Sequence, residues 1–316
     1  MILVTGANGY VATHTIKTLL AINRTTPAIR ALVRSQSQSE KMRRLGSSVE
    51  PVVGDVTNPA SLDVAMQGVH TVIHLAAVNR DRGAVTMERV NAQGTINVVD
   101  AARRAGARHI VNVVGLGADA RRPYPLAHTQ GVGVDYIMAS GIPYTILEAS
   151  VIFGAGDEFI NTLAGLARIP PIMIVPGDGK SRFQPIAVQD VAMCVVRSLN
   201  NPQTVNARLQ ICGSEVLTLE QIIDAVIAEL GVRRIKLHMP VGLLRIAVGI
   251  MDKALPKPPV TPSLLAQLGV DNVATDNATE KVFGVQPIRL REGIGYVRAM
   301  TLGLLIKRSL GRAEYR

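Results

Sequence analysis

The stretch Thr5-Gly6-Ala7-Asn8-Gly9-Tyr10-Val11-Ala12 sets two glycines three residues apart, with a small residue three positions further on. That spacing suits the holding of a pyrophosphate. The first glycine permits a tight turn, the second lets backbone approach the phosphates, and the alanine lets a helix pack closely on the preceding strand. A helix beginning there adds unpaired N–H groups and the positive end of its dipole. Thr5, Gly6, Asn8, Gly9, Tyr10 and Val11 are therefore candidate binding residues. The next apolar run ends Ala31-Leu32-Val33-Arg34, with no carboxylate before Glu40. An acid at that point would hold a ribose 2′-hydroxyl, whereas Arg34 can pair with a 2′-phosphate and stack on adenine. Arg30, Arg43 and Arg44 add positive charge. The expected ligand is a dinucleotide, with NADP(H) favoured over NAD(H).

Further candidates follow the later runs. Asp55-Val56 comes after the third, where a carboxylate either meets an adenine amino group or caps the turn. His74-Leu75-Ala76-Ala77 closes the fourth. Leu75, Ala76 and Ala77 leave room for a ribose, while His74, inside an apolar strand, reads as a satisfied core histidine. Val114, at the end of the fifth run, joins the expected cofactor set. Cys194 and Cys212 stand in no CxxC or Cys/His cluster, so both read as small buried hydrophobes and no metal site is expected.

The elements that must position these residues are legible as short β-branched runs alternating with helical stretches. Strands are expected at Ile2–Thr5, Ala28–Val33, Val49–Val53, Thr71–Leu75, His109–Val114 and Tyr144–Glu148. Helices are expected at Ala12–Asn23, Ser39–Leu45, Pro59–Met66 and Met87–Ala105, with one ending near Ala139. Continuous apolar strands separated by helices imply an α/β fold: a doubly wound parallel sheet. Beyond Gly154 the order loosens, with a turn-rich Pro176–Pro185, helices at Thr218–Leu230 (capped by Thr218) and Pro240–Met251, and a proline-rich loop at Pro256–Pro262. Asp190 is expected as a helix N-cap. The chain is thus divided into a dinucleotide-binding domain over 1–155, with returning strands around 185–215. A smaller interleaved lobe covers 156–295, and a basic amphipathic tail 296–316.

Composition narrows the partners. The 316 residues carry 34 Lys and Arg against 24 Asp and Glu, a net charge of +10, yet only 3% are aromatic and none is Trp. Nucleic-acid modules concentrate charge and interleave stacking rings, so no nucleic-acid partner is expected. Met1 leads straight into an apolar strand without a basic leader, and no run reaches the ~20 apolar residues of a membrane span. A cytoplasmic protein is expected. A mean hydropathy of +0.24 leaves room for peripheral attachment to the inner face of a membrane. In the tail, Arg298, Lys307, Arg308, Arg312 and Arg316 interleave with Met300, Leu302, Leu304, Leu305, Ile306 and Leu310, against Glu314. Such a segment suits a membrane surface, a partner complex, or packing on its own domain.

The residues TGANGYVA, ALVR, GDV, VIHLAA and VNAQGTINVVDAARRAGARHIV resemble the atypical or extended short-chain dehydrogenase/reductase family, which implies a Rossmann domain. SGIPYTILEASVIFG, PGDGKSRFQPIAVQDVA and LGVDNVATDNATEKVFGVQP resemble the branch that includes the NADPH-binding accessory subunit of respiratory complex I and its bacterial relatives. Members of the family use Ser or Thr and then Tyr-x-x-x-Lys, the lysine lowering the phenol's pKa and the serine polarising a carbonyl. Aligned on the strand at His109, the serine position falls on Val114 or Gly115. Counted back from Ser140-Gly141, the lysine and tyrosine positions fall on Gln130 and Leu126, so the set is absent. Glu148-Ala149 replaces a common Arg-Pro, and Gly131–Val134 lacks the usual charged surface. Tyr124 and His128 remain as candidate catalytic groups, either able to donate a proton beside hydride transfer to a polarised alkene or quinone. The primary expectation is a non-catalytic NADPH-binding accessory or scaffold protein. The alternatives are an NADPH-dependent reductase of a hydrophobic small molecule using non-standard residues and, less in keeping with the missing pair, an isomerase or dehydratase.

Overall fold

The computed structural model describes residues 1–22 and 28–312. Asn23, the expected end of the first helix, and Glu314 and Arg316 of the tail lie outside the described residues. The chain runs β1 (Ile2–Thr5), α1 (Tyr10–Ile22), β2 (Ile29–Val33), α2 (Gln36–Arg43), β3 (Val49–Val53), α3 (Pro59–Ala65) and β4 (Thr71–His74). After a π-helical turn at Glu88–Gln93 come α4 (Gly94–Arg104), β5 (His109–Gly115), α5 (Pro125–Met138) and β6 (Tyr144–Ala149). Then follow β7 (Ile152–Phe153), α6 (Phe159–Ala167), β8 (Ile172–Pro176), β9 (Arg182–Phe183), β10 (Ile186–Ala187), α7 (Val188–Ser198) and β11 (Ala207–Ile211). The remainder is β12 (Leu217–Thr218), α8 (Leu219–Glu229), β13 (Ile235–Met239), α9 (Val241–Ala254), α10 (Pro262–Gln267), α11 (Ala278–Lys281), α12 (Leu290–Gly293) and α13 (Leu302–Ser309).

Seven strands form one parallel sheet in the order β11-β6-β5-β4-β1-β2-β3, the doubly wound arrangement the alternation predicts. Helices cover both faces, which is why Ile2-Leu3-Val4-Thr5 is buried throughout instead of alternating. Register is direct: Ile2 pairs with Ile29 on one side and Thr71 on the other, and Val111 pairs with Thr145. One core cluster joins Leu3, Leu32, Val72, Ile110 and Ile146 of the sheet to Leu62, Val98, Val134 and Ile137 of the helices.

The chain separates into two compact units, each made of three segments. The first is Met1–Ala149, Gln189–Ile211 and Asp276–Val285; the second and smaller is Ser150–Val188, Cys212–Thr275 and Gln286–Arg316. The smaller unit packs Phe153, Ile160, Met173, Phe183, Ile222 and Val297 into its own core. Its helix α8 starts in a full capping box: Thr218 accepts from the Gln221 N–H, and Gln221 accepts from the Thr218 N–H.

Two local expectations change. Helix α7 begins at Val188, so Asp190 lies in its first turn and does not cap it, though its charge still faces the positive helix end. The expected helix at Met87 opens as a π-helical turn over Glu88–Gln93 that includes the buried Asn91.

Candidate functional site

In the order β3-β2-β1-β4-β5, the connections turn in opposite directions from β1 and β4, and sheets of this topology take their ligands at the carboxyl ends of those two strands. Gly6 lies there at φ +63°, and a Cβ on it would meet Ala76 Cα at 2.7 Å and Leu75 O at 3.0 Å. Only glycine lets the β1 and β4 loops come this close. A Cβ on Gly9 would meet Gly6 O at 2.9 Å, and the Gly9 N–H donates to that carbonyl at 2.7 Å. The loop is therefore wound tightly onto the start of α1, leaving Asn8 half-buried and Gly9 exposed. Tyr10 stacks edge-on to His14, with centroids 5.4 Å apart. This cradle, which a side chain would fill, fits a dinucleotide pyrophosphate.

A buried chain of hydrogen bonds holds the two loops together. Thr5 Oγ1 accepts the Leu75 and Ala76 N–H groups at 3.2 and 3.3 Å and lies 2.8 Å from His74 Nδ1. His74 Nε2 lies 2.9 Å from Thr95 Oγ1, whose hydroxyl donates to Asn91 O at 2.6 Å. Since the Thr95 proton is committed, Nε2 carries the imidazole hydrogen and the Thr5 hydroxyl donates to Nδ1. Burial pushes His74 down to about 4, keeping it neutral. It is the satisfied core histidine expected from its position.

The segment after β4 is fixed from the π-helical turn, which the sequence does not flag as functional. Asn91 accepts the Val78 N–H at 2.8 Å and returns a bond to Val78 O at 2.9 Å, while also reaching Thr129 of α5 at 3.3 Å. An asparagine inside a helix, close after a small-residue loop, is the signal that could have singled it out.

Beyond β2, Arg34 is exposed and its N–H donates to Gln38 Oε1 at 2.9 Å. Arg30 is not beside it. Its guanidinium donates to Ala65 O at 3.0 Å and Gln67 O at 2.6 Å and pairs with Glu50, at the opposite end of the strand. Asp55 Oδ1 accepts both the N–H and the hydroxyl of Thr57 at 2.8 Å, so it does cap its turn. The side chains of Val56 and Val114 lie in the core cluster and the Val56 carbonyl accepts from Asn97 Nδ2 at 2.9 Å; Leu75 and Ala76 are half-buried and Ala77 exposed.

Tyr124 and His128 stand at the head of α5, one turn apart, with the His128 N–H on Tyr124 O at 2.9 Å. His128 Nδ1 donates to Ala120 O at 2.5 Å. Tyr124-x-x-x-His128 repeats the spacing of Tyr-x-x-x-Lys, two residues ahead of the positions Leu126 and Gln130. Gln130, reached by counting back from Ser140, instead accepts the Gly115 N–H at 3.0 Å and secures the end of β5. Glu148 is buried and paired with Arg208 of β11, whose guanidinium also donates to Ala118 O. Cys194 and Cys212 are buried and unbridged, and burial pushes the Cys194 thiol up to about 12. Among the described residues no group of three or more His, Cys, Asp or Glu could hold a metal.

Sheet order and glycine cradle together define a dinucleotide-binding protein of the doubly wound class. A family described as NAD(P)H-binding matches residues 6–202, and the chain belongs to it. Over 202 residues it is 32% identical to the ceramide reductase of Caulobacter vibrioides, a match covering 64% of this chain and 62% of that protein. The chain thus spans under two thirds of that relative. Over 234 residues it is 21% identical to the mitochondrial NADH-ubiquinone oxidoreductase 40 kDa subunit of Neurospora crassa, covering 74% of this chain and 61% of that one. Among solved structures, the NADPH-dependent quinone oxidoreductase of Escherichia coli complexed with NADPH matches with a TM-score of 0.74 at 21% identity, over 94% of this chain and 99% of that one. Reductases and a respiratory subunit both stand among these relatives, so the likeness defines the family and not one branch of it.

Proposed function

We propose that this protein is an NADPH-dependent reductase of a hydrophobic small molecule such as a quinone or polarised alkene. The observation that carries this reading is the pair Tyr124 and His128, on one turn of α5 where it begins beyond the carboxyl end of β5. Gly6, Asn8, Gly9, Tyr10 and Val11 would hold the pyrophosphate, Asp55 the adenine, and Leu75 to Ala77 with the backbone at Val114 the nicotinamide half. Arg34, exposed beyond β2, would take the 2′-phosphate. The NADPH bound by the Escherichia coli quinone oxidoreductase supports that preference.

Reduced nicotinamide supplies a hydride when bound. The chain's own task is then to hold the acceptor and deliver one proton, which asks less of it than alcohol oxidation through an ionised phenol. The Tyr124 hydroxyl donates that proton, and His128, steered by Ala120 O, replaces it through Nε2. The likeness to ceramide and quinone reductases supports this better than a non-catalytic scaffold. The scaffold reading, and with it the respiratory-subunit branch, becomes the preferred one if turnover is absent.

The test is NADPH oxidation with a series of apolar quinones. Replacing Tyr124→Phe and His128→Ala together is expected to lower kcat by about 100-fold or more, with the NADPH Kd within about twofold. Turnover unchanged in the double variant, or absent from the wild type that binds NADPH, overturns the reductase reading.

A further inference from the structure

The smaller unit carries an aliphatic surface that the reductase reading does not use. On α9, Leu244 and Val248 pack against Leu265 of α10, while Leu243, Ile246 and Ile250 remain 59, 65 and 66% exposed. On α13, Leu305 packs against Gly165 of α6, while Leu302, Ile306 and Leu310 stay in solvent. The two helices are tied at one end: the Lys257 N–H donates to Ser309 O at 2.9 Å, and Gly311 lies against Pro256. Six aliphatic side chains are therefore displayed by neighbouring helices of one unit.

The charge around them has one dominant sign. Arg298 and Arg308 pair with Glu229 and Glu158. Arg245, Lys253, Lys307 and Arg312 on the same two helices and the turn after α13 are exposed, with Asp252 the acid among residues 241–257 and no acid among 298–312. Neither helix contains an aromatic residue. Protein–protein hot spots favour Trp, Tyr and Arg anchors in desolvated pockets, whereas aliphatic helix faces rimmed by cations suit the boundary between lipid headgroups and acyl chains. No helix among the described residues is long and apolar enough to cross a membrane, so the contact would lie in its plane.

We propose that α9 and α13 seat this protein on an anionic lipid bilayer. The aliphatic side chains enter the acyl boundary, and Arg245, Lys253, Lys307 and Arg312 lie at the level of the phosphates. This proposal stands apart from the reductase reading, since it uses none of the dinucleotide residues.

The full chain is sedimented with phosphatidylcholine vesicles made with and without phosphatidylglycerol, at low and high salt. Binding to the anionic vesicles is expected to be about tenfold or more tighter than to the neutral ones, and to weaken with salt. Ile246→Gln with Ile250→Gln, and separately Lys307→Gln with Arg312→Gln, should each cut it about tenfold. Circular dichroism and NADPH affinity should be unchanged in both, as the substituted side chains are exposed. Failure to bind anionic vesicles, or equal binding to neutral ones, overturns the proposal. So does a dimer by sedimentation equilibrium that the Ile246→Gln, Ile250→Gln variant dissociates, which would assign the face to a second copy of the chain.

Discussion

Arg30 and Arg34 are four residues apart and chemically identical, yet the fold sets one among carbonyls and a carboxylate and leaves the other exposed. Arg30 spends its guanidinium on the carbonyls of Ala65 and Gln67 and on Glu50, so it stitches β2 to the end of α3. Arg34 is exposed just past the carboxyl end of the same strand, on the edge where Gly6 and Gly9 form their cradle. A charge-assisted pair with a phosphate contributes about 1.5–3 kcal/mol. Arg34→Ala should therefore raise the NADPH Kd by about tenfold or more and leave the NADH Kd within about twofold, as measured by calorimetry. An equal loss for both nucleotides would place Arg34 outside the 2′-phosphate site.

Helix α5 shows how an element is set in place by what it lacks. A Cβ at Gly131 would lie 2.1 Å from Ala120 N and 2.3 Å from Asp119 C; at Gly133 it would lie 2.9 Å from Asn91 O. The missing charged surface in Gly131–Val134 thus reflects close packing: the β5–α5 loop crosses the helix at one glycine and the π-helical turn at the other. The same contacts bring Ala120 O to His128 and Asn91 to Thr129. Gly131→Ala must displace backbone and should cost about 1–3 kcal/mol, read as a lower urea midpoint with unchanged slope. Gly242→Ala, in open space near the start of α9, should be neutral or slightly stabilising. A neutral Gly131→Ala would show that the loop is not held there.

At the scale of the molecule, the two units carry buried titratable groups of opposite sign. Desolvation pushes Asp157, in the smaller unit, up to about 6, against hydrogen bonds from Tyr296 and from the Gly154, Asn161 and Ile160 N–H groups. Its folded pKa exceeds the unfolded value of 3.8, so the protonated form is the stabilising one. That contribution is full below pH about 4 and lost as pH rises through about 6. His74, in the larger unit, is lowered from 6.5 to about 4, so its contribution runs the other way and fades as pH falls through the same window. Asp157→Asn should isolate the first term. Between pH 4 and 6.5 the variant should gain stability over the wild type by on the order of 2 kcal/mol in urea unfolding. A difference independent of pH would mean that Asp157 is charged throughout.

The sheet, the cradle and its ligand class were all legible in the residue order alone. Periodicity reports which strands are covered on both faces, and the Gly6–Gly9 spacing has a steric meaning that holds wherever a strand turns into a helix. It also exposed Tyr124 and His128 by residue type. Tertiary structure decided what each polar group faces. It alone separates Arg30 from Arg34, starts α7 ahead of Asp190, sets Asn91 on Val78 and matches Glu148 with an arginine 60 residues away. Those outcomes depend on contacts between distant segments, and local spacing carries no record of which segments the packing brings together.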